Sequence, residues 1–197
     1  MKESRIRTSD VSDVLDSIKT GGALGGFFAV IEGSAIAGNA MPVQVSEKSG
    51  PRDMRSGLRK AIEAAPSGSV LVISSTSDRY SAWGGRVSLA AKPRIEGAVV
   101  SGCIRDLDEI RSLGFPVFAK AKSPVSGYGR LEVVSVGDPV KIDGVVVRVG
   151  DFVVADADGV AFIPRGLVTE VKRRIAEVTK EESSALAGPQ RGRRGPS

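Results

Sequence analysis

Apolar residues recur along this chain at two spacings, and the change from one to the other divides it into two parts. Val11, Val14, Leu15 and Ile18 fall three and four positions apart behind Ser9 and Asp10, two candidate helix caps, and Gly21-Gly22 ends the pattern. This predicts a short first helix. Residues 27–45 are β-branched, aromatic or small and break at Gly33, which predicts two strands around that glycine. Met54, Leu58, Ala61 and Ile62 return to the helical interval, so residues 54–64 are expected as an amphipathic helix. Continuous apolar runs at 70–74, 98–101 and 115–121 then alternate with a short helix from about Arg86 and another over 107–113. Between the first run and Arg86 the chain is expected to loop through Trp83, Gly84 and Gly85. Strand, helix, strand, helix, strand is the order of βαβ crossovers and predicts a parallel sheet.

From Arg130 the pattern changes. The chain becomes valine-rich, with turn pairs at Gly137-Asp138, Asp143-Gly144, Gly150-Asp151 and Asp158-Gly159, which predicts short, mainly antiparallel strands and hairpins. Leu167, Val168, Val171, Ile175 and Val178 then mark the apolar stripe of a long closing helix. No internal repeat or linker separates the two parts. The expected fold class is α/β, one domain over residues 1–187 with a parallel layer and a β-rich layer. Residues 188–197 carry Arg191, Arg193 and Arg194 among Gly, Pro and Ser with nothing apolar to bury, and are expected as a disordered basic tail.

With 197 residues the chain can bury a core without disulfides or a structural metal. Lys and Arg number 28 against 23 Asp and Glu, a formal charge of +5, and part of that excess lies in the tail. The aromatic residues do not interleave with the basic ones as a nucleic-acid stacking platform requires, so no nucleic-acid partner is expected. The absence of histidine and the single cysteine change the picture more. They exclude Ser-His-Asp and Cys-His nucleophiles, zinc fingers and disulfide scaffolds, and leave only oxygen ligands, which suit hard ions such as Mg²⁺ or Mn²⁺. Cys103, inside an apolar run, is read as a core thiol. The charged start "MKESRIRTSD" and the lack of any membrane-length apolar run place the expected location in the cytoplasm, with no membrane partner.

In open α/β sheets ligands bind beyond the carboxyl ends of parallel strands. Arg105 and Asp106 follow one predicted strand directly, and Gly84 and Gly85 follow the strand before it. Backbone amides of Gly85, Arg86 and Val87 suit a carboxylate or phosphate, Arg105 adds a bidentate contact, and Asp106 offers an oxygen to a hard cation. The set suits a 2-oxo acid chelated through its keto oxygen and carboxylate. Against this stands a plain reading, in which the Arg-Asp pair forms ion pairs or caps a helix. Asp151, Asp156 and Asp158 lack the spacing and distal glutamate of a calcium loop and are read as turn residues.

The ordered set "VSDVLD", "GSAIAGNA", "GSVLVIS", "AWGG", "GAVVSGCIRDLDEI", "PVFAK" and "VGDFVVADADGVAFIP" resembles the RraA-like family, which includes regulators of ribonuclease E activity and 4-hydroxy-4-methyl-2-oxoglutarate aldolases. The resemblance implies a swivelling β/β/α domain assembled as a homotrimer or hexamer with sites between subunits. It implies Arg105 as substrate ligand and Asp106 as the Mg²⁺ ligand, both catalytic, with Gly84, Gly85, Arg86, Val87 and Arg105 binding the substrate. The aldolases carry an acid in the glycine loop, where this chain has Gly84 and Gly85, and some take a glutamate from a neighbouring subunit, for which Glu181 or Glu182 is the counterpart here. Two functions follow: a metal-dependent lyase on small 2-oxo acids, forming pyruvate by retro-aldol cleavage or by decarboxylation of oxaloacetate, or a non-catalytic trimer regulating a ribonuclease or another protein.

Overall fold

The computed structural model describes residues 6–49 and 53–186, the side chains of 182–186 excepted. The expected basic tail at 188–197 lies outside the described residues. In chain order the elements are α1 (Thr8–Ser17), β1 (Ala23–Leu24), β2 (Phe28–Ala29), β3 (Ile36–Glu47), α2 (Met54–Ala64), β4 (Val70–Ser75), β5 (Ser81–Trp83), α3 (Gly85–Ala91), β6 (Gly97–Ile104), α4 (Leu107–Leu113), β7 (Val117–Lys122), β8 (Leu131–Val136), β9 (Val140–Ile142), β10 (Val145–Val147), β11 (Phe152–Asp156), β12 (Gly159–Ile163), a 3₁₀ turn (Arg165–Leu167) and α5 (Val168–Leu186). The fold is mixed α/β, as expected.

Strands β3, β4, β6 and β7 run parallel side by side, and β5 adds a short parallel pairing beside the end of β6. Residues on these strands alternate between two cores. Leu71, Ile73, Ala98, Val100, Val117 and Ala119 face one way, toward Leu58, Ala61 and Ile62 of α2, Ala91 of α3 and Ile110 of α4. Val70, Val72, Val99 and Phe118 face the other way, toward Val140 and Ile142 of β9, Val147 of β10, and β11 and β12. The layering is therefore helix, parallel sheet, β-rich layer. A third apolar cluster joins α1 and α5 to the outer face of β11 and β12 through Val11, Leu15, Val154, Ala161, Val171 and Ile175.

The two predicted layers share a strand. β3 pairs antiparallel with β11 through residues 36–39 and with β8 from Val43 onward. Pro42, which has no N–H to donate, stands where β3 changes from one neighbour to the other.

Some expectations at element ends are corrected. Ser9 and Asp10 do not cap α1: the N-cap is Arg7, Asp10 lies inside the first turn, and the Arg7 guanidinium binds it at 2.7 Å. Thr8 is tied instead to Asp156, its N–H donating at 2.9 Å and its hydroxyl at 2.5 Å, a tertiary partner no local pattern reveals. The predicted loop through Trp83 is in part the strand β5, because the end of β6 offers it a parallel edge. Val178 is 49% exposed rather than part of the buried stripe, since α5 runs past the sheet that covers Val171 and Ile175. Asp143-Gly144 turns the β9–β10 hairpin as predicted, whereas the β11–β12 turn is Ala157-Asp158, one position earlier than expected, because Gly159 already pairs with Asp156 in the ladder.

Candidate functional site

β6 ends at Ile104 and α4 begins at Leu107, so Arg105 and Asp106 form the entire connection between them. Asp106 is the N-cap of α4 yet adopts a left-handed backbone, φ 57° and ψ 42°, and its side chain makes no capping bond to its own helix. That conformation is strained for a residue with a Cβ, although aspartate tolerates it better than most. It turns the carboxylate across to the neighbouring loop, where Asp106 Oδ2 accepts from the Gly85 N–H at 3.3 Å. Asp106 thus holds the cap position of the plain reading, but its carboxylate does not cap α4. Arg105 Nε lies 3.5 Å from the same Oδ2, and the two side chains stay 36% and 35% exposed. The pair is half-open to solvent rather than locked in the interior.

The Gly84-Gly85 turn leaves β5 beside this connection, since β5 and β6 are parallel neighbours. Side chains from the β6–α4 connection and from α4 approach both of its glycines closely. A Cβ on Gly84 would stand 2.8 Å from Asp106 Oδ2 and 3.3 Å from Arg105 Cγ. A Cβ on Gly85 would fall 2.2 Å from the carboxyl carbon of Glu109. Where the resemblance places an acid in the loop, this chain has no side chain, and the Glu109 carboxylate from the first turn of α4 fills the space. Spacing along the sequence did not single out Glu109; its place depends on α3 and α4 lying side by side.

Trp83 and Ser88, also missed from sequence, hold the turn in shape. The indole N–H of the buried Trp83 donates to Ser88 Oγ at 2.8 Å, and the Ser88 hydroxyl donates to the Gly84 carbonyl at 3.1 Å. Trp83 stacks on Phe115, ring centroids 6.2 Å apart. The Gly85 amide, expected to face a ligand, is occupied by Asp106. The Arg86 and Val87 amides lie before the first intrahelical bond of α3, from Ser88 N–H to Gly84 O at 3.1 Å.

Gly84, Arg86, Val87, Arg105 and Asp106 border one narrow cleft of about 50 Å³, which Met54, Trp83, Arg55 and Tyr128 also line. A larger opening, of about 290 Å³, lies at the start of α1 beside Thr8, Ser9 and Asp158, but no cation lines it to hold an anion. Among the described residues no three Asp, Glu or Cys side chains converge as a metal cluster. A hard ion at Asp106 would have one or two protein carboxylates and take its remaining oxygens from water and substrate, the habit of Mg²⁺. The donor set fits that ion.

The other candidates resolve plainly. Asp151 is buried and accepts the backbone N–H groups of Arg148 at 2.8 Å and Arg165 at 2.9 Å, and Asp156 accepts that of Asp158 at 3.1 Å, so these acids serve turns and tertiary ties. Glu181 is exposed on α5, and the Glu182 side chain lies outside the described residues. Cys103 is buried and its thiol donates to the Asp78 carbonyl at 3.1 Å. Burial first, and the Asp78 carboxylate second, push that thiol up from its ordinary value.

Comparison with known proteins places these features. The model of the RraA-like family, described as Aldolase/RraA, matches residues 8–162. The 4-hydroxy-4-methyl-2-oxoglutarate aldolase of Thermus thermophilus is 32% identical over 165 residues, 80% of this chain and 92% of that one. The protein DlpA of Legionella pneumophila is 29% identical over 177 residues; the match takes in 89% of this chain but only 29% of DlpA. Among solved structures, the RNA-processing inhibitor RraA of Thermus thermophilus superposes with a TM-score of 0.65 at 28% identity, covering 81% of this chain and 93% of that one.

Proposed function

Because this chain belongs to the RraA-like family, we propose that it is a divalent-metal-dependent lyase acting on small 2-oxo acids, a pyruvate-forming aldolase of 4-hydroxy-2-oxo acids, an oxaloacetate decarboxylase, or both. The observation that carries this is the left-handed backbone of Asp106, which turns its carboxylate out of its own helix toward the Gly84-Gly85 turn, with Arg105 on the same cleft. Strain of this kind persists only where the surroundings over-determine it, and it clusters at functional sites.

Asp106 is the residue that would hold Mg²⁺ or Mn²⁺, with Glu109 as the adjoining carboxylate. When bound, the ion would supply Lewis acidity for carbon–carbon cleavage next to a keto group. The chain's own groups do the rest. Arg105 grips the substrate carboxylate with a charge-assisted fork, and the Arg86 and Val87 amides complete the anion's surroundings. Trp83 and Ser88 keep the turn from moving. The protein acts in the cytoplasm as a homotrimer or hexamer, with Glu181 of one subunit near the cleft of the next. Among the described residues no helix is long and apolar enough to cross a membrane.

The test is to supply oxaloacetate, or a 4-hydroxy-2-oxo acid, with Mg²⁺ and measure pyruvate. Turnover is expected, abolished by EDTA, reduced at least about 100-fold in Asp106→Asn, and shifted to weaker substrate binding in Arg105→Ala. A second reading, a non-catalytic trimer regulating a ribonuclease or another protein partner, draws on the glycines that stand in place of a loop acid and on the likeness to an RNA-processing inhibitor. It prevails if no 2-oxo acid is turned over and Asp106→Asn changes nothing.

A further inference from the structure

Three guanidinium groups and one carboxylate border the cleft: Arg55, Arg86 and Arg105 against Asp106. Asp106 lies beside Arg105. Neither Arg55 nor Arg86 takes part in any ion pair among the described residues. A metal ion at Asp106 adds still more positive charge. A monoanionic 2-oxo acid held by Arg105 leaves Arg55 and Arg86 on the same cleft without a counter-ion.

Arg55 is also held in place. It sits in the first turn of α2, behind the N-cap Asp53, whose carboxylate accepts the Ser56 N–H at 3.0 Å. Its guanidinium lies over the Tyr128 ring, 3.9 Å from the centroid. Stacking of this sort fixes the plane of the guanidinium and leaves its N–H edges free, so a carboxylate meets a fork already oriented. Tyr128 is itself 52% exposed.

We infer that Arg55, positioned by Tyr128, is a specificity-determining residue that binds a second carboxylate at the far end of the substrate, so that the cleft selects 2-oxo acids carrying two negative charges over those carrying one. The inference rests on the 2-oxo-acid reading of the Arg105 end and adds the other end to it.

Titration calorimetry of the full chain in Mg²⁺, with pyruvate and 2-oxoglutarate as probes, separates the two ends. The wild type is expected to bind 2-oxoglutarate at least about tenfold more tightly than pyruvate, the scale of one charge-assisted contact. In Arg55→Ala the preference falls to within about twofold while pyruvate affinity holds. Tyr128→Ala loses part of the preference, and Arg55→Lys, which keeps the charge, recovers part of what alanine loses. The proposal is overturned if Arg55→Ala keeps the full preference or weakens both ligands equally, or if lysine recovers nothing. Arg105→Ala reports on the parent reading separately, since it is expected to weaken both probes. If the wild type binds neither probe, both readings fall together.

Discussion

Asp106 shows how one backbone angle can separate structural from chemical roles. Asparagine tolerates the left-handed region about as well as aspartate, whereas alanine there costs on the order of 1 kcal/mol. Denaturant unfolding is therefore expected to show Asp106→Asn near wild-type stability and Asp106→Ala weaker by about that amount, with both lacking the site's carboxylate. Equal stability of the two variants would show that the strain is not real. Cys103 belongs at this scale too. Its raised pKa means the folded state holds the thiol proton more tightly than the unfolded chain does. The resulting stabilisation is complete below the ordinary value of 9.0 and is lost as pH climbs above it. Unfolding free energy is expected to fall with alkaline pH more shallowly in Cys103→Ala than in wild type, and the native thiol should resist a disulfide reagent at neutral pH until the protein unfolds. The motif around these residues was readable in sequence, because Arg105 and Asp106 follow an apolar strand directly. The direction of the Asp106 carboxylate was not, since it depends on the Gly85 amide 21 positions earlier in the chain.

At the scale of elements, two amphipathic helices and the parallel strands between them followed from periodicity, with α2 spanning the predicted residues 54–64 and α4 the predicted 107–113. Element ends were less legible. β6 continues through Cys103 to Ile104, three residues beyond the predicted apolar run, because β5 and β7 pair with that extension. The turn between β5 and α3 depends on the Trp83, Ser88 and Gly84 chain of hydrogen bonds. Ser88→Ala strands a buried indole N–H, a loss of about 1–3 kcal/mol. A lowered melting temperature is expected together with weaker binding of 2-oxo acids, as the Gly84-Gly85 turn loosens. A drop in stability with binding unchanged would mean that the turn needs no such brace.

For the whole molecule, the decisive connections are long-range. Asp151, buried at 5% exposure, joins the approach to β11 with the start of the C-terminal helical region by accepting from Arg148 and Arg165. Asp151→Ala leaves two backbone donors without that acceptor and is expected to cost about 3 kcal/mol in chemical denaturation while sparing 2-oxo-acid binding where the protein remains folded. A loss below about 1 kcal/mol would show that other groups satisfy those donors. The sequence by itself determined the alternation of helix and strand, the change from parallel to antiparallel pairing, the oxygen-only chemistry imposed by the lack of histidine, and the Arg105-Asp106 pair. These follow from side-chain period and residue type, which are local. Only the tertiary structure decided that β3 serves both layers, that the Glu109 carboxylate lies against Gly85, and that Arg55 and Tyr128 line the same cleft as Arg105, because each depends on packing between segments that no spacing along the chain encodes.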